Sequence, residues 1–145
     1  MGKLLMKIYL IGTFKNERIE PLGDKLRKMG FEVFDSWRGT HPESDQVMWR
    51  YERNRGHSYK EALRGLAAQN AFQFDKRHLD DSDAAILVMD AGRSAHIEAG
   101  YMVGRGKPVY VLLEPNKQID RLDLMHNFCT DFFETEDELL TYLQC

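Results

Sequence analysis

The chain has 145 residues, 43% hydrophobic and 30% charged, and its 20 Lys and Arg against 23 Asp and Glu leave a formal net charge of −3. That length accommodates one domain with a substantial core rather than two independent ones, so a single domain over residues 1–145 is expected. The composition argues against a disordered chain, and the scattered basic residues argue against an extended nucleic-acid partner while leaving a small anionic ligand open.

Lys7 to Phe14, "KIYLIGTF", is β-branched and aromatic and ends around Gly12, which predicts a buried first strand and a tight turn. Asn16 can cap a first helix, and Ile19, Leu22, Leu26 and Met29 recur at helical spacing until Gly30 stops the pattern. Phe31 to Trp37 alternates apolar and polar residues and predicts a second strand, followed by a breaker-rich loop, "RGTHPESD". Ser44 to Asp81 reads as helical with a break at Gly56. From near Ser58 the pattern predicts one long helix whose apolar positions include Leu63, Leu66, Ala67, Ala71 and Phe74. Ala84 to Met89 is apolar throughout, as a central parallel strand covered on both faces must be. Ser94 to Gly104 predicts a helix, Pro108 to Leu113 a fourth strand, "CTDFFET" a fifth, and Glu136 to Leu143 a terminal helix.

This alternation predicts a three-layer α/β fold with a doubly wound, mostly parallel five-stranded sheet in the flavodoxin-like order 2-1-3-4-5. Ligands bind outside the carboxyl ends of the strands where the order reverses, here at Gly12, Thr13 and Phe14 and from Asp90 to Ser94. The histidines His41, His57, His78, His96 and His126 have no H-x-x-x-H or Cys-rich spacing, so no metal site is expected. "GRGKP" is not a phosphate-binding P-loop, because Gly100 and Gly106 lie too far apart and Pro108 follows the lysine. No G-x-S-x-G elbow supports a serine hydrolase.

The first ten residues do not read as a signal peptide, and Met6 breaks a myristoylation pattern. No run approaches the roughly 18 apolar residues of a membrane span. With Cys129 and Cys145 read as reduced thiols, the expected location is cytoplasmic, without a membrane partner.

The third-strand exit carries the chemistry. Gly92 permits a turn, Ser94 suits a helix cap, and Glu98 lies four residues later on the same face. That is one residue too late for a capping box. Two readings stand: Glu98 complements the positive end of the helix on a solvated face, or it is an ionised carboxylate presented to a ligand. The small neighbours Ala95, Ala99 and Gly100 suit either a ligand or close helix-to-strand packing.

"KIYLIGTF", "FDKRHLDDSDAAILVMDAG" and "SAHIEAGYMVGRGKPVYVLL" together resemble the nucleoside 2-deoxyribosyltransferase superfamily, with its I-Y-L-A-G-P-like first strand, S-D-x-x-I/V-like third strand and E-x-G-Y/W-like helix before G-K-P-V. The superfamily includes transferases that move 2-deoxyribose between bases and hydrolases that release a base from a nucleoside monophosphate. The resemblance covers most of the chain and is weak from Thr40 to Asn70. It implies that Glu98 attacks the anomeric carbon as the N-glycosidic bond breaks, as in a retaining glycosidase. It also implies a small nucleoside or nucleotide as partner, no cofactor, and a homo-oligomer. Tyr9 falls where the family lines the sugar site, although a core tyrosine reads equally well. Asp75 and Asp90 fall near family acids that contact sugar or base and can protonate a departing base. Otherwise Asp75 is a solvated helix residue and Asp90 a strand-end turn residue.

"DLMHNF" is similar to an N-L-M-like segment that, in the transferases, reaches into a neighbouring subunit's site; Met125 matches, while Asp123 replaces the asparagine. Ile11 and Thr13 replace the usual alanine and proline, and "AGRS" the usual D-G-T. Arg93, Ser94 and the helix amides make a small anion site, which favours a phosphorylated substrate, with a solvated Arg93 as the alternative. Lys15 and Arg18 can add charge there. Trp37, His41 and Trp49 can stack on a base or pack a long connection. The expected function is thus N-glycosidic bond cleavage on a nucleoside or nucleoside monophosphate, by hydrolysis or base transfer. The rivals are a non-catalytic nucleotide-binding module and an NAD glycohydrolase.

Overall fold

The computed structural model describes residues 6–35, 37, 44–114 and 122–144. In chain order the elements are β1 (Lys7–Ile11), α1 (Ile19–Lys28), β2 (Glu32–Phe34), α2 (Ser44–Asn54), α3 (Tyr59–Arg64), α4 (Leu66–Asp81), β3 (Ala84–Val88), α5 (Arg93–Gly104), β4 (Val109–Leu112), a short 3-10 turn (Leu124–Phe128), β5 (Asp131–Phe133) and α6 (Glu136–Gln144). The chain divides into two compact units, one of Met1–Asp35 with Asp81–Cys145 and one of Ser36–Asp80.

The first unit holds the sheet. All five strands are parallel, in the order β2-β1-β3-β4-β5 predicted from sequence. Every residue of β1, β3 and β4 is buried, which is why these segments read as continuous apolar runs. From β1 the chain steps one way to β2 and later the other way through β3, β4 and β5. Right-handed crossovers in opposite directions put α1 and α5 on opposite faces and leave the switch point between β1 and β3. Lys7 is the buried exception in β1: its Nζ reaches Asp81 at 2.9 Å and lies 5.8 Å from the Phe34 ring centre, and its backbone N–H donates to Asp83 Oδ2 at 2.8 Å.

The strands are shorter than predicted, although Met89, Pro108 and Leu113 beyond their ends still bond to neighbouring strands, Met89 N–H to Leu112 O and Leu113 N–H to Phe133 O at 2.9 Å each. Asn16 does not cap α1: Arg18 takes the cap position without a side-chain bond, and Asn16 Oδ1 accepts the Arg18 N–H at 3.0 Å inside the preceding turn. Ile19, Leu22 and Leu26 form the buried stripe of α1 as the spacing predicts. Gly30 and Gly106 both stop a helix at positive φ, +99° and +77°. After α5, Gly106 N–H donates to Val103 O at 2.9 Å and Lys107 N–H to Met102 O at 3.1 Å, the paired bonds of a Schellman stop.

The second unit corrects one expectation. The long helix predicted from Ser58 starts there, with a reciprocal Ser58–Glu61 capping box, but breaks at Gly65 into α3 and α4. Gly65 is extended at ψ 162°; its N–H bonds back to Ala62 O at 3.1 Å while its carbonyl accepts Gln69 N–H at 3.0 Å, so one residue ends one helix and opens the next. Gln69 Nε2 donates to Leu63 O at 2.9 Å, satisfying a carbonyl freed by the break. The expected apolar face is not buried: Leu63, Leu66, Ala67, Ala71 and Phe74 are all exposed, Leu66 at 79%. Helical periodicity identifies a stripe, not what covers it. Among the described residues no helix is long and apolar enough to cross a membrane.

Candidate active site

Tyr9 stands at the middle of β1, paired with Phe34 on β2 and Ala85 on β3, and is 1% exposed. Its ring lies 4.9 Å from that of Phe34, and its hydroxyl donates to Glu98 Oε2 at 2.9 Å across 89 residues of sequence. Glu98, in the second turn of α5, is half-buried. A fully solvated dipole-complementing glutamate does not describe this geometry, because the buried phenol sets the orientation of the carboxylate. Ala95 and Ala99 are buried at 4% each, so these small residues serve close packing of α5 on the sheet, while Gly100 is exposed.

The strand exits are stitched together. Gly12 leaves β1 against α1, where a Cβ would fall 2.5 Å from Ile19 Cδ1, and Thr13 and Phe14 come next, half-buried. Thr13 turns the chain, its carbonyl accepting Asn16 N–H at 3.0 Å and its Oγ1 accepting Lys15 N–H at 3.1 Å. Asn16 Nδ2 then donates to Met89 O at 3.2 Å, and the Arg18 guanidinium donates to Met89 O and, at 3.1 Å, to Leu113 O. Arg18 is therefore bound to main-chain carbonyls past β3 and β4, a tying role rather than the anion contact suggested by its charge. Asp90 is exposed immediately beyond Met89.

α5 is capped by Gly92, not by Ser94. Gly92 is extended at φ −91°, ψ −165°, and the helix begins at Arg93, which moves Ser94 inside the first turn where its side chain is not the cap. Arg93 and Ser94 are both exposed there, beside backbone N–H groups that have no intrahelical acceptor. The Gly92 carbonyl accepts from His96 N at 3.2 Å and faces His96 Nδ1 at 2.8 Å. His96 Nε2 in turn meets His126 Nε2 at 2.9 Å. The Asp123 and Met125 segment is thus beside the first turn of α5 within one chain. Asp123 caps the 3-10 turn, its Oδ1 accepting Met125 N–H at 3.2 Å, and Met125 is 63% exposed.

Asp75, on α4 in the second unit, is half-buried, and burial together with the charge of Asp45 pushes its carboxyl above the ordinary range. Trp49, in the same unit, is taken up by an edge contact with Tyr59 at 5.6 Å and by Arg53 at 5.7 Å; Trp37 is half-buried. His41 and Cys145 lie outside the described residues. Cys129 is a free thiol whose pKa burial pushes up. A hollow of about 360 Å³ lined by Met6, Phe31, Tyr110, Tyr142 and Leu143 lies toward the amino ends of β1 and β2 and touches none of the candidate residues. The linking roles of Asn16 and Arg18 and the meeting of His96 with His126 had no spacing signal, because each joins segments remote in sequence.

Solved structures that share this fold include two enzymes. One is the 2-deoxyribosyltransferase of Bacillus psychrosaccharolyticus, with a TM-score of 0.61 and 20% identity over 92% of this chain and 89% of that one. The other is the Clostridium botulinum CMP N-glycosidase BcmB, with a TM-score of 0.55 and 20% identity over 96% of this chain and 99% of that one. The fold predicted from the alternation of strands and helices is the fold found, a five-stranded parallel sheet in the order 2-1-3-4-5, and a deoxyribosyltransferase and an N-glycosidase have a similar fold. No protein-family model and no curated sequence matches the chain.

Proposed function

We propose that the protein cleaves the N-glycosidic bond of a nucleoside monophosphate or nucleoside, with Glu98 as nucleophile. A Glu98 oxygen forms a bond to the anomeric carbon as the bond to the base breaks; the electron pair leaves with the base, which takes up a proton. Water, or a second base, then displaces Glu98 from the sugar and completes hydrolysis or transfer. The observation that carries this reading is the 2.9 Å bond from buried Tyr9 to Glu98, which presents an oriented carboxylate beside the β1–β3 switch point. The shared fold with a deoxyribosyltransferase and a CMP N-glycosidase supports the same bond type.

The exposed Arg93, Ser94 and first-turn amides of α5 support a phosphorylated substrate, since a helix N-terminus with a guanidinium suits a phosphate. Gly12, Thr13, Phe14 and Gly92 line the strand exits against which the sugar would lie. For the departing base, the resemblance supports Asp90 or Asp75 as proton donor. The family resemblance also implies a homo-oligomer, for which the exposed Tyr59, Leu63, Leu66 and Phe72 of the second unit are apolar surface; sedimentation of the full chain tests it.

The test is chromatographic screening of nucleosides, nucleoside monophosphates and NAD for base release, with and without an added acceptor base. Base and sugar phosphate from a monophosphate are expected, with a loss of roughly a thousandfold or more in Glu98→Ala. Base release by Glu98→Ala at the wild-type rate would show the mechanism wrong. Binding by calorimetry with no release would make the protein a nucleotide-binding module, and nicotinamide release would make NAD the substrate.

A further inference from the structure

Three side chains distinct from the Tyr9–Glu98 pair converge at the first turn of α5. His96 and His126 face each other end to end through Nε2 at 2.9 Å, their ring centres 5.2 Å apart and their planes 14° from parallel. Asp123 Oδ2 lies 3.9 Å from His126 Nε2, and one ligand atom from each of the three falls within 4.8 Å of the others. We infer that His96, Asp123 and His126 form a binding site for a divalent transition metal of the zinc type.

Two imidazoles and a carboxylate are a donor set that suits Zn²⁺, whereas Mg²⁺ and Ca²⁺ prefer oxygen alone. Two nitrogens bound to one tetrahedral Zn²⁺ at about 2.0–2.1 Å stand roughly 3.3 Å apart. From the observed end-to-end contact of 2.9 Å, admitting the ion requires the two rings to part by a few tenths of an ångström and to turn until their lone pairs converge. The outer contacts already fit. His96 Nδ1 lies 2.8 Å from the Gly92 carbonyl, which can only accept, so Nδ1 carries the proton and Nε2 presents its lone pair toward His126. A backbone acceptor on the far nitrogen is the usual support of a metal-bound histidine. Asp123 is similarly held, with Oδ1 accepting Met125 N–H at 3.2 Å and Oδ2 turned toward His126.

Both histidines are half-buried and Asp123 is exposed, so an ion can enter from solvent. Three protein ligands leave a fourth position to water or another exchangeable ligand. The ion would tie the turn at Leu124–Phe128 to α5, the helix that carries Glu98, without entering the glycosidic chemistry proposed above.

The full chain, stripped with a chelator, is titrated with Zn²⁺ by calorimetry and with Co²⁺ by visible absorption. One saturable equivalent per chain is expected, with Co²⁺ d–d bands that Zn²⁺ abolishes. His96→Ala, His126→Ala and Asp123→Ala should each weaken Zn²⁺ binding by about tenfold or more. His78→Ala, whose ring lies against Phe74 in the second unit, should leave it unchanged. Circular dichroism confirms that each variant is folded, and Asp123→Ala, an exposed site, decides the matter if a histidine variant is not. No saturable equivalent in the wild-type chain, or undiminished uptake in Asp123→Ala, overturns the site.

Discussion

At the scale of the residue, the informative pair is Tyr9 and Glu98. A tyrosine 1% exposed in the middle of β1 must satisfy its hydroxyl, and here a half-buried carboxylate accepts it at 2.9 Å. The two demands are met by one bond, so core packing and carboxylate orientation are the same interaction. Tyr9→Phe keeps the ring against Phe34 and removes the donor. Stability is expected to fall by about 1.5–3 kcal/mol, the range for a hydrogen bond to a charged group. Base release should fall roughly tenfold or more through kcat, with KM little changed, because Glu98 loses orientation rather than the substrate a contact. Steady-state base release and thermal melts check both; wild-type kcat in Tyr9→Phe would make Tyr9 a core residue only. The family resemblance gives both residues an expected place at one site, with Tyr9 reading equally as a core residue, but nothing local to "KIYLI" or "SAHIEAG" specifies that they touch. That contact depends on the sheet register and on how closely Ala95 and Ala99 let α5 approach.

At the scale of the element, helix stops were legible where glycine chemistry enforces them and illegible where it does not. Gly106 ends α5 at φ +77°, a conformation costly for any residue with a Cβ, and two backbone bonds depend on it. Gly106→Ala is expected to destabilise the chain by about 1–2 kcal/mol in denaturant unfolding, although a Cβ there meets nothing within 4 Å. An unchanged unfolding midpoint would mean that the backbone relaxes at no cost. Gly65 is different. It ends α3 with an ordinary negative φ and an extended ψ, open to many residues, so its sequence context does not announce a break. The helix cap of α5 shows the same limit: Ser94 has the right chemistry, yet the turn after β3 starts the helix at Arg93, and Gly92 occupies the cap.

At the scale of the whole molecule, stability depends on pH through Asp75. Its pKa is raised by burial and by Asp45, so the native state binds a proton more tightly than the unfolded chain does. Stability therefore falls as pH rises from the ordinary carboxylate range through the raised value, and the loss is complete above it. Asp75→Asn removes the ionisation. The variant should melt at a higher temperature than wild type near neutral pH, with the gain vanishing as pH drops below about 3.9. Thermal melts across that range measure it; a difference independent of pH would exclude Asp75 as its source. The sequence by itself determined the strands that form the core, the 2-1-3-4-5 order and the place where the order reverses. Continuous apolar runs must be buried, and right-handed crossovers leave few ways to connect them. Only the tertiary structure decided the division into two units, the exposure of the α3 and α4 apolar residues, the Tyr9–Glu98 bond, and the meeting of His96 with His126 across 30 residues. Periodicity reports which face of an element is apolar; which side chains meet across elements is set by packing, which local sequence does not encode.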